Sequence, residues 1–307
     1  FNAGNAVTTG LKNTLIGGSV GASLTSGSYN VAVGRNALAT EDAHGKNIAI
    51  GYKALYDQNA GQDAFNVAIG HAAGENVTTG IQNTFVGGLA GDAITTGHYN
   101  VAVGTGALGT EDTQSYSTAV GHSALYSQNT TTDAMNTAFG YYAGAASTTG
   151  FQNTFVGAQA GDVLTEGYNN TIIGYNAAAS AVDVDNEITL GNTNIATLRC
   201  QVTSITSLSD KRDKTNINTL DKGLDFVDAL KPVKFDWETR DGSKKGVKDI
   251  GFIAQDLQEL DDEYTNLVYD KNPEKLEASY GRLVPILVKA VQELSAEVKQ
   301  LKQQLNN

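Results

Sequence analysis

The amino-acid sequence predicts a mainly β chain: a stacked β-solenoid shaft over residues 1–190, a β transition over 191–208, and an α+β domain over 209–307 ending in a long helix. Three observations lead there. A short motif, Asn-x-x-x-Gly, recurs at near-constant spacing through the first part. Charge density changes abruptly near residue 208, with 5 Lys+Arg and 14 Asp+Glu before that point against 16 and 19 after it. Close to the C-terminus, apolar residues follow at steps of three and four, the period of a helix face.

Ten rungs begin at Asn13, Asn30, Asn47, Asn66, Asn83, Asn100, Ser117, Asn136, Asn153 and Asn170. Each continues with three residues suited to a strand and then Gly, as in Asn30-Val-Ala-Val-Gly34. The steps run 17, 17, 19 and 17, then repeat, so four rungs make a 70-residue super-repeat. The longer step falls on "YDQNAGQDAFN" and again on "YSQNTTTDAMN". A strand this short buries no core alone, whereas stacking gives each one a neighbour above and below. Gly suits a positive-φ corner after the strand, and the Ala three residues later permits close approach at the next corner. Stacked Asn side chains are expected to hydrogen-bond up the ladder. Aromatic residues come at intervals, so each chain encloses little core, and a homotrimer covers more apolar surface than one chain. Residues 1–10, "FNAGNAVTTG", align with 141–150, "YYAGAASTTG". The chain thus opens inside a repeat, and the parent protein is expected to extend further upstream.

After the last rung, Ile188, Leu190, Ile195 and Leu198 are the apolar positions of short strands in the transition. Beyond it, 221–230 reads as a helix closed by Pro232, "VKFDW" as a strand, "GFIAQDLQEL" as a strand-to-helix unit and "YTNLVYD" as a further strand. From Pro285, placed as the first helical residue, Leu287, Ala290, Leu294, Val298, Leu301 and Leu305 form an amphipathic stripe suited to a three-chain bundle.

A net charge of −12 argues against nucleic-acid binding and a basic membrane-surface patch. No apolar run is long enough to insert in a membrane. The single cysteine, Cys200, excludes an internal disulfide framework and reads as a small buried residue; Trp237 reads as core.

The rungs resemble the repeats of trimeric adhesin heads of the YadA type and, more closely, those of phage tail-fibre proteins, over about residues 1–190. The seam is more specific. Ser209-Asp210-Lys211-Arg212-Asp213-Lys214-Thr215-Asn216-Ile217 is similar to the S-D-x-R-x-K-x-x-I opening of the peptidase S74 family, the intramolecular chaperone of phage tail spikes and endosialidases. "GFIAQDLQEL" and "ASYGRLVPILVKAVQEL" continue that family's order of motifs.

The resemblance implies a Ser-Lys dyad that cuts its own chain, and the matching residues are Ser209 and Lys214, with Leu208 and Asp210 beside the cleavage site. A serine hydroxyl needs a base, and a lysine serves as one only when its ammonium is destabilised by burial or by charges such as Lys211 and Arg212. Asp210 and Asp213 oppose this if they pair with Lys214. Attack by Ser209 on the Leu208 carbonyl passes through a five-membered ring, whereas its own carbonyl requires a four-membered one. The family's break after the serine needs different geometry or water, and both bonds stay open.

The implied function is the distal part of a phage tail fibre. It is a virion protein made in the host bacterial cytoplasm, joined to an upstream segment of the fibre and meeting a bacterial surface glycan or another host receptor. Its C-terminal domain trimerises the shaft and releases itself in a single-turnover serine autoproteolysis, with no external substrate and no cofactor. The alternative is a trimeric cell-surface adhesin or glycan depolymerase carrying the same assembly domain. The four histidines, His44, His71, His98 and His122, are spread one to a rung, which suits corner positions and no metal site. Glu41-Asp42 and Glu111-Asp112 recur at the super-repeat period, as repeated loop features rather than a glycosidase pair.

Overall fold

The structure is a computed structural model that describes residues 2–195, 197–201, 206–207, 209–240, 242 and 244–306. It divides into two compact units, Phe1–Asn192 and Thr193–Asn307.

The first unit is a parallel β-solenoid. Its strands are three residues each: β1 Thr14–Ile16, β2 Val31–Val33, β3 Ile48–Ile50, β4 Val67–Ile69, β5 Thr84–Val86, β6 Val101–Val103, β7 Thr118–Val120, β8 Thr137–Phe139, β9 Thr154–Val156, β10 Thr171–Ile173 and β11 Ile188–Leu190. They pair in chain order in one sheet. The ten predicted rungs are the first ten strands. The eleventh lies in the segment that reads as transition, with Glu187 at its start in place of the usual Asn, yet the Glu187 N–H donates to Asn170 Oδ1 at 2.8 Å as the first residue of every rung that follows an Asn does. The 19-residue steps leave register untouched, with Ile48 opposite Val67 and Thr118 opposite Thr137. Their extra residues are absorbed in loops.

The middle residue of each strand points inward, so Ala32, Ala49, Ala68, Phe85, Ala102, Ala119, Ala138, Phe155 and Ile172 are buried. Phe85 and Phe155 stand 70 residues apart and need glycine beside them; a Cβ on Gly91 would lie 2.4 Å from the Phe85 ring. The Gly that ends each strand is equally constrained. Gly70 has φ +148°, and an added Cβ would sit 2.2 Å from the Gly87 carbonyl oxygen of the next rung. The flanking residues of each strand face outward. There Ile16, Val33, Ile50, Ile69, Val86, Val103, Val120, Phe139, Val156, Ile173 and Leu190 form an unbroken apolar column in register.

The expected asparagine ladder is present, with Asn170 Nδ2 donating to Asn153 Oδ1 at 3.0 Å, and most of its bonds go to backbone. Each Oδ1 accepts the backbone N–H of the next rung's first residue, as Asn83 Oδ1 does from Asn100 at 2.9 Å. The side-chain amides donate to corner carbonyls, as Asn83 Nδ2 does to Gly97 at 2.8 Å, except Asn47 Nδ2, which is buried without a partner. Turned inward, the side chain satisfies backbone groups that would otherwise be buried without a partner, at about 1–3 kcal/mol each. Non-glycine residues occupy the left-handed region at the corner before the rung: Tyr29, Tyr99 and Tyr116 have φ of 64°, 60° and 67°. That conformation costs roughly 1–2 kcal/mol per residue. It is held because their N–H groups donate to Leu11, Ile81 and His98 carbonyls in the preceding rung at 3.0, 3.2 and 3.1 Å.

In the second unit the elements are α1 Leu224–Ala229, β12 Val233–Asp236, β13 Lys248–Gly251, α2 Ala254–Gln258, β14 Val268–Tyr269, β15 Glu277–Ala278 and α3 Leu283–Leu305, with β12–β13 and β14–β15 antiparallel. The core is Leu257, Leu267, Leu283 and Ile286, with Phe226, Val227 and Phe252 packed on it. α3 starts at Leu283, so Pro285 falls at its third residue, still in the first turn, where N–H groups have no helical partner. Leu283, Ile286 and Ala290 are buried, while Leu287, Leu294, Val298, Leu301 and Leu305 are exposed. Glu293 on α3 accepts the Leu224 N–H at 2.7 Å and so caps α1.

Several expectations fail here. Ile195 and Leu198 are exposed and in no strand, and Cys200 is exposed rather than buried. Trp237 lies partly covered at the end of β12, edge-on to Phe235 and donating from Nε1 to Asp249 at 3.1 Å, so it does not enter the core. No described helix is long and apolar enough to cross a membrane.

Candidate functional site

The charged run at the seam forms a single tight turn. Asp210 caps a 3₁₀ turn over Lys211–Asp213 by accepting the Arg212 N–H at 2.8 Å, and the Lys214 N–H closes it on the Lys211 carbonyl at 3.2 Å. Asx-type capping of this sort is what a short acidic side chain does ahead of a turn. The reversal brings residue 214 back over residue 209. Lys214 Nζ donates to Ser209 Oγ at 2.5 Å and reaches the Ser209 carbonyl oxygen at 3.3 Å.

The aspartates do not compete for that lysine. The Asp210 carboxylate is forked by Arg212, with Nη2 at 2.6 Å and Nε at 3.1 Å from both oxygens. The guanidinium thereby holds the Asp210 carboxyl below the usual carboxylate range. Among the described residues, neither Asp210 nor Asp213 forms an ion pair with Lys214. The Asp210–Arg212 lock was not anticipated, although an Asp two residues before an Arg in a turn-prone run is a readable signal for it. Ser209 and Lys214 are both exposed within this chain, so the chain itself does not provide the burial expected of a lysine base. Leu208 lies outside the described residues. A nucleophile hydrogen-bonded to an amine, with a peptide carbonyl beside the same amine, is an arrangement able to do acyl transfer once the amine is neutral.

The recurrent carboxylates stand elsewhere. Glu41 and Glu111 are fully buried in the solenoid, while Asp42 and Asp112 face solvent, so neither pair lines an open cleft in this chain. Burial raises the Glu111 carboxyl from 4.5 to about 7, against the opposing hydrogen bond from Gln128. A carboxyl raised in the folded state binds its proton more tightly folded than unfolded. Its contribution is therefore fully present below about 4.5 and is lost as pH rises through about 7. Glu111→Gln cannot ionise and is expected to gain up to about 3 kcal/mol over the parent near pH 8, with the difference closing in acid, in guanidinium unfolding.

The histidines take corner positions. His71 stacks on Tyr52 and His122 on Tyr141, with centroids 5.2 and 5.5 Å apart.

Comparison with known proteins bears on the seam. Residues 209–269 match the family model described as chaperone of endosialidase, peptidase S74, and the match begins at Ser209 itself. The motif "ASYGRLVPILVKAVQEL" lies beyond the matched residues. No curated protein and no solved structure matched the chain. The chain thus follows a parallel β-solenoid of about ten turns with a segment, residues 209–269, that is similar to the chaperone of endosialidase, peptidase S74.

Proposed function

We propose that the C-terminal unit assembles three copies of the chain into a tail-fibre shaft and then releases itself by cutting beside Ser209. The observation that carries the assembly is that both units leave an apolar face uncovered. In the solenoid it is the outward column from Ile16 to Leu190, exposed at Ile16, Ile69, Phe139, Val156, Ile173 and Leu190 and half-buried between them; in the second unit it is the α3 stripe from Leu287 to Leu305. Monomeric proteins rarely expose contiguous apolar surface on this scale, and a trimeric arrangement covers both faces at once. The chaperone match supports the same reading.

For release, Ser209 is the nucleophile and Lys214 the base, as their hydrogen bond suggests. Cleavage after assembly removes the route back and leaves the shaft kinetically trapped. Contact with a host-surface glycan is supported by flat aromatic stacks on the shaft corners, Tyr99 on Tyr116 at 5.2 Å and Phe151 on Tyr168 at 4.9 Å, faces on which sugar rings stack.

Light scattering and intact-mass measurement on one preparation test this. The expected particle contains three shafts, and the expected masses are two fragments that together account for the 32.2 kDa chain plus one water, dividing it beside Ser209. A stable monomer at micromolar concentration overturns the assembly. An uncut chain in a folded trimer overturns the release.

A further inference from the structure

Three residues in one loop, Glu41, Asp42 and His44, bring one ligand atom each within 4.8 Å of one another. Glu41 is fully buried, and its Oε1 accepts the His44 backbone N–H at 3.0 Å. Its other oxygen, Oε2, is buried with no hydrogen-bond partner, and so is His44 Nδ1, which lies 3.7 Å from Glu41 Oε1. Leaving a carboxylate oxygen buried without a partner is costly, and such a group calls for an occupant. The loop backbone is fixed from the rung below, where the Asp42 carbonyl accepts the Thr25 N–H at 2.7 Å.

The super-repeat provides an internal comparison. Seventy residues on, Glu111, Asp112 and Gln114 occupy the same places, with no imidazole. There Gln128 Nε2 donates to Glu111 Oε2 and to Ser117 Oγ. In the first copy Asn47 replaces that serine, and Gln58 Nε2 turns to the Thr78 carbonyl at 3.2 Å, so Glu41 receives no side-chain amide donor. Each copy leaves one carboxylate oxygen buried without a partner, Glu41 Oε2 and Glu111 Oε1, but only the first sets a histidine beside the carboxylate.

We infer that Glu41, Asp42 and His44 form a site for one first-row divalent cation of the zinc, cobalt or nickel type. One imidazole nitrogen with carboxylate oxygens suits these ions better than calcium or magnesium, which take oxygen ligands. Metal–ligand bonds of about 2.0–2.2 Å hold ligand atoms up to about 4.4 Å apart, close to the observed limit of 4.8 Å, and solvent completes the coordination. Burial raises the Glu41 carboxyl above its ordinary value, and a cation supplies the positive charge that the site lacks.

The test uses the full chain, stripped with a chelator and titrated with cobalt(II) alone, followed by zinc competition in a calorimeter. The expected result is one ion per chain, a visible d–d band, and a higher unfolding midpoint in the presence of metal. His44→Gln reproduces the residue that the second copy already accommodates, so it is expected to fold, to lose at least tenfold in affinity and to lose the metal-dependent midpoint shift. His71→Gln is expected to bind as the parent does. Absence of stoichiometric binding, with a water bridging Glu41 Oε2 and the equally unpartnered Asn47 Nδ2 instead, overturns the inference. Unchanged affinity in His44→Gln overturns it too.

Discussion

Ser209→Ala is expected to leave the chain whole while the trimer still forms, a complete loss of cutting with little change in assembly. The serine hydroxyl is exposed and takes no part in the core of the second unit, which is built on Leu257, Leu267, Leu283 and Ile286. Removing it deletes the nucleophile and nothing else. Lys214→Ala is expected to stop or greatly slow the reaction, and Lys214→Arg not to restore it, because a guanidinium stays protonated and cannot accept the serine proton. Ser207→Ala is the control and is expected to cut normally. Both groups are exposed in one chain, so on this reading the desolvation that favours a neutral amine comes from the other chains, and cutting follows assembly. Fragment masses of the four variants measure all of this. Normal cleavage in Ser209→Ala refutes the assignment, and loss in Ser207→Ala alone moves the nucleophile.

A chain ending at residue 208 and produced alone is expected to aggregate or stay unfolded, with most of it lost to the pellet. The shaft consists of non-local parallel pairings seventeen or nineteen residues apart, a topology that is slow to form and exposes strand edges meanwhile. Its left-handed corners require a neighbouring rung to hold them, so an isolated rung has no stable geometry to start from. The same segment released from an assembled trimer is expected to resist denaturant. Sedimentation and guanidinium unfolding of the two preparations decide the matter: a truncated chain that assembles normally refutes the chaperone role.

Much of the solenoid was legible because one backbone requirement recurs with one residue type. Asn at the rung start and Gly after the strand are chosen for what they do to neighbouring backbone, so they repeat where other positions drift. Glu187 escaped because a different side chain fills the same place while its N–H makes the same bond. The left-handed corners escaped for the opposite reason. Tyr29, Tyr99, Lys46 and Gln82 share φ near 60° and no chemical type, since the inter-rung N–H bond and not the side chain holds them. Cys200 and Trp237 were misjudged because composition suggests burial without saying which surface supplies it. At the seam, the Ser209–Lys214 pairing came from the order of residues in a resembling family, whereas the turn that creates it depends on Asp210 capping Arg212.

The constant register has a consequence for reach. Each rung lies directly over the last, and the two-residue expansions bulge into loops without displacing a strand. A super-repeat of four rungs therefore adds a fixed increment of roughly 19 Å at the ordinary spacing of about 4.8 Å between strands. Gene duplication or loss of whole 70-residue units changes the length of the solenoid in equal increments, while the remaining rungs keep their register.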